Sequence, residues 1–201
     1  KSKVELLRAI GAYENTYENA LKNYGNISTW DVSKITDMKE LFANRRLLQT
    51  YDLSNWDVSN VVTMAGMFFN TKSVSSFGNL DKWNVGRVKT MSGMFNHSHH
   101  LTNIGNIENW NVGSVVKMNT MFTGCKQLKF IGNINKWQTN SLKETAYMFY
   151  NSGIQNINVS DWDVSNVTVL AGMFARTSVE TLDLKNCLIF LGKGSVKEVL
   201  I

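Results

Sequence analysis

The chain has no proline and only two cysteines in 201 residues. Average usage would give about ten prolines in this length. Its turns must be made by other means, and asparagine, which tolerates tight turns and left-handed backbone, is abundant. Cys125 and Cys187 occupy different places in the repeat described below and lie more than two coils apart. A bridge needs Cα atoms within about 7 Å, whereas coils stacked like strands advance about 4.8 Å each. An intramolecular disulfide is therefore not expected, and the redox compartment stays open. No apolar run approaches the roughly 18 residues of a membrane span. Charge is mild: the formal balance is +5 with a pI near 9.2, and no basic run exceeds Arg45-Arg46. Such a balance permits contact with polyanions without demanding it. There is no P-loop, nucleophile elbow, CxxC pair or HExxH motif. The chain is read as a non-enzyme, with no cofactor and no metal assigned. Lys1-Ser2-Lys3 carries neither an initiator Met nor a signal-peptide pattern, so a processed or trimmed segment is expected.

What is present is a period. The tryptophans are Trp30, Trp56, Trp83, Trp110, Trp137 and Trp162, at intervals of 26, 27, 27, 27 and 25 residues. A near-constant spacing of this size marks a repeat protein whose units stack on their neighbours. Around each Trp the same apolar register recurs. In the first copy it is Val32, Ile35, Met38, Leu41 and Phe42, and in the third it is Val85, Val88, Met91, Met94 and Phe95. All nine methionines fall in this register and are read as core.

Residues 1–26 precede the register. Ser2 is placed to cap a helix carrying Val4, Leu6, Leu7 and Ile10, and a second amphipathic stretch runs from about Tyr13 to Leu21. This segment is read as a helical cap over the apolar end of the stack. Residues 27–187 hold six Trp-containing coils and a terminal strand. Three residues after each Trp stands an N-cap type (Ser33, Ser59, Gly86, Gly113, Asn140 or Ser165), and the apolar steps of three, three, three and one that surround it predict a short helix. The other half of the coil reads as a short strand. Ile154, Ile157, Val159 and Trp162, then Val179, Leu182, Leu184 and Cys187, follow the leucine-rich-repeat strand pattern. The predicted fold class is thus α/β, a leucine-rich-repeat-like solenoid with one short strand and one short helix per 25–27-residue coil. In the 27-residue copies an extra residue near Gly78-Asn79, Gly105-Asn106 and Gly132-Asn133 reads as a bulge or widened turn. Residues 188–201, ending Val199-Leu200-Ile201, are either a second cap or a truncated next coil, and an exposed apolar end favours end-to-end self-association.

The phrases NWDVSNVVTMAGMF (55–68), DWDVSNVTVLAGMF (161–174) and TWDVSKITDMKELF (29–42) resemble the bacterial surface protein repeat, also described as BspA-like leucine-rich repeats and known from mycoplasmas, Listeria and other bacteria. The resemblance covers residues 29 to about 187. It implies a right-handed α/β solenoid, a cell-surface or secreted bacterial setting, and adhesion or protein binding, and it brings no catalytic residues. Gln138-Thr139 and Thr145 depart from the pattern, so the fifth coil is expected to be locally irregular.

Several residue sets remain as candidate sites. Asp31, Asp57 and Asp163 follow their tryptophans, with Asn84, Asn111 and Gln138 in the same column. Since amides occupy half of it, this column reads as a structural ladder rather than a Ca²⁺ site. His97, His99 and His100 cluster in one loop, where Zn²⁺ or Ni²⁺ is conceivable. Cys125 is the only nearby soft ligand, however, and no carboxylate falls in the loop, so a solvated loop is preferred. Arg45-Arg46, Lys72, the histidines, Lys126 and Arg176 align as a weakly basic edge, read chiefly as a solvated ridge with an acidic partner as the alternative. Nucleic acid is disfavoured, because its readers interleave exposed aromatics with such charge. The polar residues flanking the strand make the preferred binding face: Asp52, Ser54, Asn79, Asp81, Asn106, Glu108, Asn133, Asn135, Asn158, Ser160 and Asp183. Repeat proteins commonly bind on such an extended surface. The expected function is non-enzymatic recognition of a protein or glycan through that face. The competing expectation is a structural spacer that joins domains end to end without a ligand.

Overall fold

The computed structural model describes residues 2–46, 51–177, 179 and 181–183. Two helices open the chain, α1 over Lys3–Asn15 and α2 over Tyr17–Tyr24. Ser2 caps α1 in a reciprocal capping box with Glu5, at the position the sequence indicates. Leu6, Ala9, Ile10 and Tyr13 are the buried face of α1. Tyr13 packs against Trp30 and Tyr51, while Lys3 reaches Asp37 and Glu14 reaches Arg45, so α1 is seated on the first repeat by both apolar and ionic contacts. Gly25 ends α2 at φ 69°, a left-handed position suited to glycine.

From there on the expected architecture does not form. Among the described residues no α-helix lies within the repeats, and the predicted leucine-rich-repeat-like solenoid of strand plus helix is not present. The repeats are mostly turns and irregular chain. They carry short 3-10 turns at Ile27–Thr29, Ile107–Asn109 and Ile134–Lys136, and one parallel pair, β1 (Asn156–Asn158) with β2 (Thr181–Asp183). The reason lies in the backbone. The tenth residue after each Trp (Glu40, Gly66, Gly93, Thr120, Tyr147, Gly172) has φ between 56° and 64°, and the fourteenth (Asn44, Asn70, His97, Gly124, Asn151, Arg176) is left-handed as well. Two left-handed residues per copy break any α-helix.

The amide donors then divide by parity. In the first copy Leu41, Ala43 and Arg45 donate to carbonyls three residues back, whereas Met38, Glu40, Phe42 and Asn44 donate to Thr63, Ala65, Met67 and Phe69 of the next copy at 2.8–3.0 Å. The same four-bond ladder joins each later pair of copies through to Asn151 donating to Ala175. A run of three-residue turns reproduces the apolar steps of three that resemble a helix face. Its donors, though, serve the neighbouring repeat instead of the i−4 carbonyl.

The core runs along the stack as columns of side chains. Phe42, Phe68, Phe95, Phe122, Phe149 and Phe174 stack face to face with centroids 5.2–5.6 Å apart. Met38, Met64, Met91, Met94, Met118 and Met121 are fully buried beside them. Each Trp also acts as a staple. The indole Nε1–H of Trp56, Trp83, Trp110, Trp137 and Trp162 donates to the carbonyl of Ile27, Leu53, Leu80, Ile107 and Ile134 in the preceding copy, at 2.8–3.0 Å. Trp30 donates likewise to Tyr24 at the end of α2. Cys125 is buried, and its thiol donates to the Phe95 carbonyl; burial pushes its pKa up to about 12. Cys187 and the cap or further coil expected at 188–201 lie outside the described residues.

Candidate functional site

The polar face is built from a two-residue device repeated at each copy. Four residues before Trp56, Trp83, Trp110, Trp137 and Trp162 stand Asp52, Asn79, Asn106, Asn133 and Asn158, and each side-chain Oδ1 accepts the backbone N–H two residues on, at 2.9–3.2 Å. This is an Asx turn, and it directs the chain into the tight bend before the tryptophan. Asn26 does the same for Ser28 ahead of Trp30. Hydrogen bonds from Ser54 hold the Asp52 carboxyl below the usual carboxylate range.

The residues two before each Trp do different work, reaching the next copy. Ser54 Oγ accepts from Asn79 N at 2.8 Å, Glu108 Oε2 from Asn133 N at 3.4 Å, and Asn135 Oδ1 from Asp161 N at 2.8 Å. Glu108 also pairs with Lys136 at 3.2 Å, and Lys136 is the main cause of its lowered pKa. Asp81 closes the Asn79 turn through its own N–H, and Ser160 closes that of Asn158. Asp183 stands opposite Asn158 in the β1–β2 pair. The proposed site residues therefore divide. Ser54, Glu108 and Asn135 latch neighbouring repeats together. Asp52, Asn79, Asn106, Asn133 and Asn158 are exposed, commit one oxygen to a turn, and leave their second side-chain atom out of it.

Glycines make room for the device in the long copies. A Cβ on Gly78, Gly105 or Gly132 would fall 2.1, 1.7 and 1.7 Å from the Oδ1 of Asp52, Asn79 and Asn106. The extra Gly-Asn residue is thus a left-handed turn packed against the previous Asx oxygen. A second ladder follows each Trp, where Asp31, Asp57, Asn84, Asn111 and Asp163 accept the N–H two residues on. Gln138 breaks that series, and a hollow of about 410 Å³ opens there beside Asn135, Asn140, Asp161 and Asp163. A hollow of about 250 Å³ lies at the other end of the face, between Asn26, Ser28, Asp52 and the tyrosines of α1 and α2. Tyr51 borders it, and burial pushes its pKa up to about 12.

The histidine loop closes on itself. His97 packs edge-to-face on His99 at 5.3 Å, and His99 Nδ1 lies 2.7 Å from the Gly124 carbonyl. Burial, His99 and Lys126 lower the His97 pKa. Among the described residues no three His, Cys, Asp or Glu side chains converge as a metal-holding group. No helix among them is long and apolar enough to cross a membrane.

Both Asx columns are visible in the sequence as Asp or Asn at fixed distances from each Trp, but only the column after it, where five of six copies read Asp/Asn-x-Ser/Gly, declares a turn-making role there. The indole staples leave no local signal, because their acceptors lie in another repeat.

Stacked copies, ladders of turn-making side chains and a helical lead-in define a repeat protein. The chain belongs to the family described as "Mycoplasma protein of unknown function, DUF285", which matches residues 12–126 and again 73–187. The resemblance read from the tryptophan motifs holds at this level, as membership of a repeat family. No curated protein and no solved structure matches the chain.

Proposed function

We propose that this chain is a non-enzymatic binding module, displayed on or secreted from a bacterial cell, that recognises a protein or glycan along its Asx face. The likeness of its WDVS motifs to BspA-like surface repeats supports the setting. The observation that carries the reading is the column Asp52, Asn79, Asn106, Asn133 and Asn158. The column is exposed in every copy, fixed in orientation by its turns, and offers one outward amide or carboxylate atom per repeat. Polar atoms held in place in this way bind with little ordering cost.

Alanine substitution would break the turns, so the test uses Asn→Asp. That change keeps Oδ1 as the turn acceptor and replaces the outward donor by an oxygen; Asp52 already shows that the column tolerates it. Wild type and the Asn79→Asp, Asn106→Asp, Asn133→Asp triple variant are applied to arrays of glycans and extracellular-matrix proteins. The expected result is a saturable partner for wild type, lost in the variant at unchanged melting temperature. Equal capture by both would remove this face from the function.

A further inference from the structure

The edge opposite in character to the Asx face lies some sixteen residues after each Trp, where Arg46, Lys72, His99 and Lys126 occupy one column on successive copies, all of them exposed. The structure makes them neighbours. Arg46 and Lys72 are partners in a parallel bridge, the ring of His99 sits against Gly124 two residues before Lys126, and the Lys129 ammonium comes up to Gly153 in the next copy. No aspartate or glutamate occurs in residues 68–80, 95–107, 122–134 or 149–160, the stretches that form this edge and the bend after it. None of Lys72, Lys126 and Lys129 has a carboxylate partner among the described ion pairs. Glu14 neutralises the Arg45–Arg46 end of the edge, and beyond it the ridge of Lys72, Lys126 and Lys129 carries one sign and attracts a chain of the opposite sign.

We propose that this ridge binds a linear sulfated polysaccharide, on a surface separate from the Asx face. Three observations select that partner among polyanions. Parallel bridges hold neighbouring copies at the strand spacing of about 4.8 Å, comparable to the length of one sugar residue, so successive copies can follow an extended glycan. The middle of the ridge presents the point charges of lysine ammonium groups, and not the bidentate arginine forks favoured for phosphate. Single-stranded nucleic acid needs a series of exposed aromatic platforms. The ridge offers Phe130, 62% exposed, while the phenylalanine of each copy stacks inside the core.

Heparin is the probe. The intact chain is titrated onto immobilised heparin over a range of salt concentrations. It is compared with a ridge variant (Lys72→Gln, Lys126→Gln, Lys129→Gln) and a control variant of equal net charge (Lys34→Gln, Lys89→Gln, Lys143→Gln). All six lysines are exposed, and melting curves verify that both variants fold. The expected result is binding by wild type and control. For the ridge variant the plot of log K against log salt should be shallower by about 0.7–0.9 for each ammonium–sulfate pairing removed, as for phosphates. Absence of heparin binding at physiological salt overturns the proposal. So does an equal drop in affinity for both variants, which would reduce the effect to net charge, or equally tight binding of single-stranded oligothymidylate. The Asn→Asp variant of the Asx column retains heparin binding whatever its effect on the other partner, so either reading can fail without the other.

Discussion

Gly105→Ala is the sharpest probe of how the repeats lock. The residue sits at φ 81°, where an alanine costs about 1–2 kcal/mol in backbone strain. The added Cβ would also lie 1.7 Å from Asn79 Oδ1 and 2.8 Å from its Cγ, so the Asn79 side chain must swing away. That releases the Asp81 N–H from its 3.2 Å bond, at about 0.5–1.5 kcal/mol for a partly exposed group. The expected destabilisation is about 1.5–3.5 kcal/mol, or roughly 3–14 °C in melting temperature for a chain of this size. Gly93→Ala is an internal control. It shares the left-handed backbone at φ 64°, but its Cβ would meet nothing closer than Thr120 Oγ1 at 3.5 Å, an ordinary contact. It should show only the strain. In an Asn79→Ala background the obstruction is already gone, so Gly105→Ala should cost about 1 kcal/mol less than in wild type. Urea unfolding followed by tryptophan fluorescence measures all four corners of the cycle. Equal destabilisation by Gly105→Ala and Gly93→Ala, or singles that add to within about 0.5 kcal/mol, would refute the interlock.

Two further outcomes follow from the same ladders. Thr120 is β-branched and held at φ 56° in a column where Gly66, Gly93 and Gly172 occupy other copies, so Thr120→Gly should stabilise by about 0.5–1 kcal/mol; a lower melting temperature would contradict it. Bonds from Ser59 and Ser165 hold the Asp57 and Asp163 carboxyls below their usual 3.8. Because the folded-state pKa is the lower one, their stabilisation is present above the unfolded value and is lost as pH falls through the folded one. Asp57→Asn with Asp163→Asn keeps the turn, as Asn84 and Asn111 do, but removes the ionisation that favours the fold, so the stability lost between neutral and acid pH should be smaller than in wild type; an unchanged loss would show that these carboxylates carry none of the acid sensitivity.

The legible parts of the fold are those written in side-chain identity at a fixed period. The tryptophan spacing, the Met and Phe columns and the Ser2 cap each announce themselves, because stacking places like residue over like. The expectation of strand plus helix fails on the backbone. Val32, Ile35, Met38 and Leu41 step by three, which serves a helix face tolerably and a run of three-residue turns better. What tips the choice is the left-handed positions, and half of the first such column is Glu40, Thr120 and Tyr147, residues that give no warning of it. Gly66, Gly93 and Gly172 are the available clue. On the Asx face, Asp-x-Ser and Asn-x-Glu look in sequence like exposed polar residues free to bind, although their spacing is that of a turn.

The distinction decides how any function of the face has to be tested. Each Asx side chain serves its own turn through Oδ1 and faces solvent through its other atom. Removing it therefore weakens the scaffold and the surface together. Three alanines along the column would cost about 1.5–4.5 kcal/mol at roughly 0.5–1.5 per bond, a large part of the about 5–15 kcal/mol that holds a domain folded. Failure to bind in such a variant would say nothing about contact. Exchanging amide for carboxylate alters only the outward atom, and Asp52 and Asn79 already make the same turn with the two chemistries. The ridge of Lys72, Lys126 and Lys129 has no such double duty, since its ammonium groups make no ion pair among the described residues. Charge removal there acts on recognition alone. One surface must be altered without changing shape and the other can be stripped, which is why a single alanine scan across both would assign their roles wrongly.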